Sequence, residues 1–166
     1  MRGWRTFASL LFPLTLSAAQ PQAPLTFPEI DFVRVHKAAR TMELFARGQL
    51  VHVIGYIQLG GAPAGPKHFE GDQRTPEGLY EIDWSNPGSG YHLSLHISYP
   101  DERDRAYAAA RGRDPGGMIM IHGQPNALPA GRVPGDWTDG CIAVSNAEMD
   151  ALWQSVPDGT PIEIVP

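Results

Sequence analysis

Short runs of apolar, β-branched and aromatic residues dominate the chain, and Gly and Pro punctuate them. Stretches with apolar residues at helical spacing are few, so the pattern predicts a β-rich domain with long connections. Ile30 to Val35 and Thr41 to Phe45 read as the first two strands, and Arg47-Gly48 as a hairpin turn into a third run, Leu50 to Leu59. Gly60 to Gly65 is a small-residue loop. Pro76 and Gly78 make a turn before an alternating strand around Tyr80 and Ile82, and Tyr91 to Tyr99 reads as one more strand. Two helices are predicted. Asp101 caps a short one through about Ala110, packed outside the sheet, because its carboxylate accepts free backbone N–H groups and complements the dipole. Ser145 and Glu148 stand in capping-box spacing ahead of Met149, Leu152, Trp153 and Val156, a single apolar stripe that reads as core rather than as cofactor contacts. That helix stops at Pro157, and Ile162 to Val165 closes the fold as a last strand.

The stretch that organises the rest is Met118 to Asn146. Its four apolar residues Met118 to Ile121 predict a buried strand that delivers His122 at its exit. Seven Gly and Pro residues between Gly123 and Gly140 rule out helix or strand there, leaving a surface loop that borders a cleft. Cys141, the only cysteine, opens a second apolar run through Val144, directly after Gly140, whose missing side chain permits a tight turn and close substrate approach. Such a loop can return Cys141 to His122. A thiol is only a few per cent thiolate at neutral pH, so an imidazole that accepts its proton makes it a useful nucleophile. On this reading Cys141 alkylates faster at pH 7 than a free thiol. The competing reading takes Cys141 as a small buried hydrophobe and His122 as a satisfied core histidine.

Compartment favours the first reading. Arg2 and Arg5 precede an apolar stretch from Phe7 to Leu16, and the small residues Ser17 and Ala19 fit a signal-peptide cleavage site after Ala19. The stretch is short and interrupted by Pro13, so no lasting membrane anchor is expected, and the product is secreted or periplasmic. An unpaired cysteine in an oxidising compartment is a liability unless it works. Removing 19 residues leaves 147, enough for one domain with a real core. Residues 20–28 read as a disordered leader and 29–166 as the domain. The mature chain carries 11 Lys and Arg against 18 Asp and Glu with no basic run, which argues against nucleic acid as a partner.

The residues IHG, a loop, then TDGCIAVSN are similar to the active-site signature of the L,D-transpeptidase (YkuD-like) catalytic domain. That signature sets 14 to 17 residues between His-x and Ser/Thr-His-Gly-Cys; Gln124 to Trp137 supplies 14, followed by Thr138, Asp139, Gly140 and Cys141. The segments HKAARTMELFARGQLV, YIQLGG and GDQRTPEGLYEI extend the resemblance over nearly the whole mature chain. It implies a mainly-β, sandwich-type fold with a few short helices and an acyl-enzyme mechanism without a cofactor. By the same resemblance Cys141 is the nucleophile, His122 its base, the Gly123 carbonyl the group that orients the imidazole, and peptidoglycan stem peptides the substrate. Backbone N–H groups at the Gly140-Cys141 turn are expected to hold the oxyanion. Asp139 stands where the family has His and is expected to point away from Sγ, free to receive a substrate ammonium. Thr138 and Trp137 are expected at the substrate, Trp137 and Arg132 are read as covering the cleft, with a plug that packs the loop onto the domain as the alternative for Trp137, and Arg74 is read either as a carboxylate binder or as a solvated surface residue.

The TDGC variant, with the segments HISYPDERDRAYAA and GDQRTPEG, resembles the exported branch of the family that includes an amidase releasing lipoprotein from peptidoglycan. Hydrolysis of a stem peptide, or release of a wall-linked lipoprotein, therefore stands beside transpeptidation. A noncatalytic wall-binding module is the third reading. Metal catalysis through His92 and His96 with His36, His52 or His68 is disfavoured, because strand residues four apart stand about 13 Å apart, too far to share one zinc.

Overall fold

The computed structural model describes residues 23–166; the expected signal peptide, residues 1–19, lies outside the described residues. Residues 23–28 have no regular secondary structure, and none of the described helices is long and apolar enough to cross a membrane. Eight strands and two short helices follow: β1 Phe32–His36, β2 Thr41–Ala46, β3 Gln49–Gly55, β4 Gly78–Asn86, β5 Ser94–Ile97, α1 Glu102–Ala109, β6 Ile119–His122, β7 Ile142–Ala143, α2 Asn146–Ser155 and β8 Thr160–Val165. The mainly-β expectation holds.

All eight strands join one mixed sheet in the order β3-β2-β1-β8-β4-β5-β6-β7. Strands β1 and β2 alternate strictly between buried and half-buried positions, as a two-residue period requires when one face meets the core. Arg47 and Gly48 both have positive φ, 52° and 70°, the backbone of a two-residue hairpin whose twist matches its strands. The chain leaves the ladder after Gly55, where Tyr56 also turns to positive φ, so the third run is shorter than its composition suggests. Residues beyond it do a different job. Gln58 bridges Ala143 and Gly60 bridges Thr138, so the segment after one edge strand pairs with the strand at the opposite edge. The sheet is therefore curled almost onto itself, with β7 at the seam.

Val33, Leu44, Ile82, Leu95, Ile121 and Ile162 are fully buried in the hydrophobic core. Helix α2 adds Met149, Leu152 and the adjoining Val156 to it, as the apolar stripe predicts. Capping boxes start both helices: Asp101 with Asp104, and Ser145 with Glu148. Only Ala108 of α1 is buried, so that helix lies at the surface.

Candidate active site

Strand β6 presents His122 at its C-terminal end, and Cys141 immediately precedes β7. The two strands are parallel, with Ile121 opposite Ile142 and His122 opposite Ala143. Parallel pairing needs a long crossover, and the loop 123–140 supplies it, bringing Cys141 alongside Met120 of the strand that ends at His122. The Met120 N–H points at Sγ, 3.4 Å away, and Sγ stands 3.6 Å from the Met118 carbonyl. His122 and Cys141 line one cleft of about 250 Å³ with Trp137, Thr138 and Asp139.

The imidazole is locked. Nδ1 lies 2.7 Å from the Gly123 carbonyl oxygen. A carbonyl only accepts, so Nδ1 carries the proton and Nε2 keeps its lone pair. Tyr91 tilts against the ring at 4.8 Å between centroids, and Trp137 meets it edge-on at 5.6 Å. Gly123 has no room for a side chain: a Cβ there would stand 2.7 Å from Asn146 Oδ1 and 2.8 Å from His92 Cβ. The carbonyl that orients His122 is thus held by close packing.

The turn that carries Cys141 is equally tied down. Gly140 has φ +128°, and a Cβ on it would stand 2.5 Å from the Arg74 carbonyl oxygen. Thr75 Oγ1 donates to the Gly140 carbonyl at 2.9 Å, so the segment Thr75-Pro76-Glu77-Gly78 holds the turn before Cys141 directly. Thr138 lines the cleft, but its hydroxyl donates to the Cys141 carbonyl at 2.7 Å and accepts from the Gly140 N–H at 3.2 Å. It shapes the turn rather than presenting a free hydroxyl, and it occupies one of the two N–H groups expected to hold an oxyanion.

Burial bears on the ionisation expected of the pair, and two arginines stand away from the cleft lining. Burial pushes the Cys141 thiol above its ordinary range; the Asp139 charge adds to that, while the Met120 N–H and the Lys67 charge oppose it. Burial holds His122 below its ordinary value against the opposing Gly123 hydrogen bond. Both directions favour thiol and neutral imidazole over a preformed thiolate. Iodoacetamide alkylation of Cys141 should accordingly rise with pH through a midpoint above about 8.5, the ordinary thiol value; a midpoint below it would mean a resting ion pair. Arg132 does not cover the cleft, because it pairs with Glu148 of α2 and donates to the Tyr56 carbonyl at 2.7 Å. Arg74 is not among the cleft-lining residues; its guanidinium lies against Gly65 while its backbone carbonyl abuts Gly140.

The histidines weighed as metal ligands are dispersed. His92 pairs with Asp150 and His96 with Asp83, each at 2.6 Å, and His68 stacks on Tyr107. Among the described residues no three His, Cys, Asp or Glu converge on one point.

Several contributors escaped the sequence reading. Gln58 and Gln124, both buried, bond each other at 3.1 Å and fasten the crossover loop: Gln58 Nε2 donates to the Gly135 carbonyl, and Gln124 Oε1 accepts from the Val133 N–H. Asp136 joins them, pairing with Arg40 at 2.5 Å and accepting from the Leu59 N–H. Asn126 clamps the segment bearing Tyr91, accepting from the His92 N–H at 2.7 Å and donating to the Ser89 carbonyl at 3.0 Å. Nothing in the sequence marks Gln58 and Gln124 as buried or Asn126 as a clamp. Thr75 lies within the segment GDQRTPEGLYEI that carries the resemblance, but nothing in that segment marks it as a contact of Gly140.

The profile of the L,D-transpeptidase catalytic domain, the YkuD family, matches residues 30–164. YafK of Escherichia coli K12, named as a candidate L,D-transpeptidase, is 27% identical over 132 residues, covering 75% of this chain and 46% of its own length. The crystal structure of Pgp2, a helical cell shape determining protein of Campylobacter jejuni, superposes with a TM-score of 0.63 at 28% identity, over 85% of this chain and 49% of that one. For Bd1075 of Bdellovibrio bacteriovorus the TM-score is 0.57 at 23% identity, over 86% and 53%, a likeness of fold alone. The chain thus spans about half the length of these relatives. The His–Gly pair at the end of β6 and the Gly–Cys turn before β7 both fall within the matched span, and the chain belongs to the YkuD family of L,D-transpeptidase catalytic domains.

Proposed function

We propose that the protein is an exported cysteine L,D-transpeptidase that works on peptidoglycan stem peptides through a thioester on Cys141. One observation carries this reading: an imidazole whose Nδ1 proton is fixed on Gly123 O shares a cleft with the single thiol, which leaves Nε2 as the base. As Sγ attacks the scissile amide carbonyl, Nε2 takes the thiol proton. The Cys141 N–H is the oxyanion donor that the turn leaves available, since Thr138 takes that of Gly140. The imidazolium then protonates the departing amine, the C–N bond breaks and the thioester remains. An acceptor amine attacks that thioester, passes a proton to His122, forms the new amide and releases the thiol.

A neutral resting pair suits this sequence, because proton transfer accompanies attack and no buried ion pair has to be held beforehand. With the His122 pKa lowered, the base stays unprotonated through neutral pH. Activity should therefore fall only below about pH 6.5, the ordinary imidazole value.

Family membership supports the substrate class, and the name of Pgp2 supports a role in cell shape. Export rests on the N-terminal pattern ending at Ala19. The test is to incubate the enzyme with purified muropeptides, with and without wall-linked lipoprotein, and follow products by mass spectrometry. New cross-linked dimers are expected. Shortened stems or released lipoprotein without dimers would replace transpeptidation by hydrolysis, and no product from any substrate would leave a wall-binding module.

A further inference from the structure

Among the side chains that line the cleft there is one formal charge, that of Asp139, and there is no Lys or Arg. Asp139 is exposed, and none of the ion pairs among the described residues uses it. Its position has a chemical cost, because a carboxylate beside a thiol opposes the thiolate that the reaction must form. The same cleft carries two aromatic rings, Tyr91 and Trp137, 5.7 Å apart between centroids, and Tyr91 is 43% exposed. Lys67, whose charge is felt at the thiol, is buried and bound to Asp72 at 3.0 Å, so it does not neutralise Asp139 by contact. A lone unpaired carboxylate with aromatic faces is the chemistry that binds an organic cation.

We infer that Asp139, with the rings of Tyr91 and Trp137, forms a subsite for a primary ammonium group beside Cys141, which makes Asp139 the residue that selects amine-bearing substrates. Naming that ammonium rests on the proposed function: it belongs either to the diamino acid of the donor stem or to the acceptor amine. The subsite itself does not depend on that reading. A bound ammonium also offsets the charge that hinders the thiolate, so the nucleophile is favoured when the correct substrate is present. Water and anionic acceptors gain nothing from Asp139.

The subsite is tested without any peptide substrate, by thiol modification with three methanethiosulfonates that differ in charge: the cationic 2-aminoethyl, the neutral methyl and the anionic 2-sulfonatoethyl reagents. Each forms a mixed disulfide with Cys141 and releases methanesulfinate. Taking ratios to the neutral reagent, and to the same ratios for free cysteine, cancels any change in thiolate fraction. The native protein should favour the cationic reagent about fivefold and disfavour the anionic one by a similar factor, as one charge a few ångströms away in a wet site dictates. Asp139→Asn should bring both ratios close to one, and Asp139→Glu should preserve their direction. Ratios near one in the native protein, or unchanged in Asp139→Asn, would overturn the subsite. If the enzyme turns over muropeptides, a rise in KM for the acceptor in Asp139→Asn places the ammonium there, and a rise for the donor places it on the stem. A change in neither would overturn substrate selection by Asp139.

Discussion

Cys141→Ala should lower turnover of stem peptides by roughly 10⁴-fold or more, because no other group in the cleft can form the thioester and the two steps it separates have no shared alternative. The fold should survive. Cys141 is only partly buried, and its contacts with the Met120 N–H and the Met118 carbonyl are long, weak sulfur interactions. Their loss costs about 1 kcal/mol or less. Circular dichroism and melting should be nearly unchanged, and that pairing of lost rate with intact fold is the informative result. Retained turnover in this variant would end the thiol mechanism.

Gly140→Ala is the substitution expected to damage the structure most per atom added. A methyl group would have to fit 2.5 Å from the Arg74 carbonyl oxygen, a backbone atom held in place because Thr75 next to it bonds the Gly140 carbonyl. The φ of +128° is a conformation that an L side chain rarely adopts, whatever the space. Clash and backbone strain together should cost about 3 kcal/mol or more. Relief would separate the 72–76 segment from the Cys141 turn, so both melting temperature and alkylation kinetics should change. A variant with native stability and native thiol reactivity would show that the turn tolerates displacement.

Much of the fold is legible in the chain because the relevant physics is local. Alternation in β1 and β2 marks which face is buried, Arg47-Gly48 marks a tight hairpin, and the Ser145 and Glu148 spacing marks a helix start. The curl of the sheet is not local. It depends on Gln58 and Gly60 meeting residues some 80 positions later, and nothing in YIQLGG announces that partner. Strand ends shift for a similar reason: Tyr56, His92 and Met118 each adopt positive φ, which composition does not foretell, and each ends or delays a strand.

Cys141 and His122 were legible as candidates because a lone cysteine and an imidazole at the end of an apolar run are chemically conspicuous. Their ionisation was not. Whether a neighbouring imidazole yields a thiolate depends on how deeply both groups are buried, and burial here raises one and lowers the other. Arg132 carries the converse lesson: it stands close to the motif in sequence, yet a long side chain pairs with whatever carboxylate or carbonyl the fold brings near. Tyr91 builds the site from a segment with no motif, and Asn126 from the unpatterned spacer between the motif's two ends.

The most direct measurement is intact-protein mass spectrometry of the enzyme mixed with a stem-peptide donor in the absence of an acceptor amine. An adduct with the mass of the acyl stem fragment should accumulate, map to Cys141 after proteolysis, disappear on adding an acceptor amine and be missing from Cys141→Ala. Turnover without that adduct under trapping conditions, or an adduct mapped to another residue, would contradict the thioester mechanism.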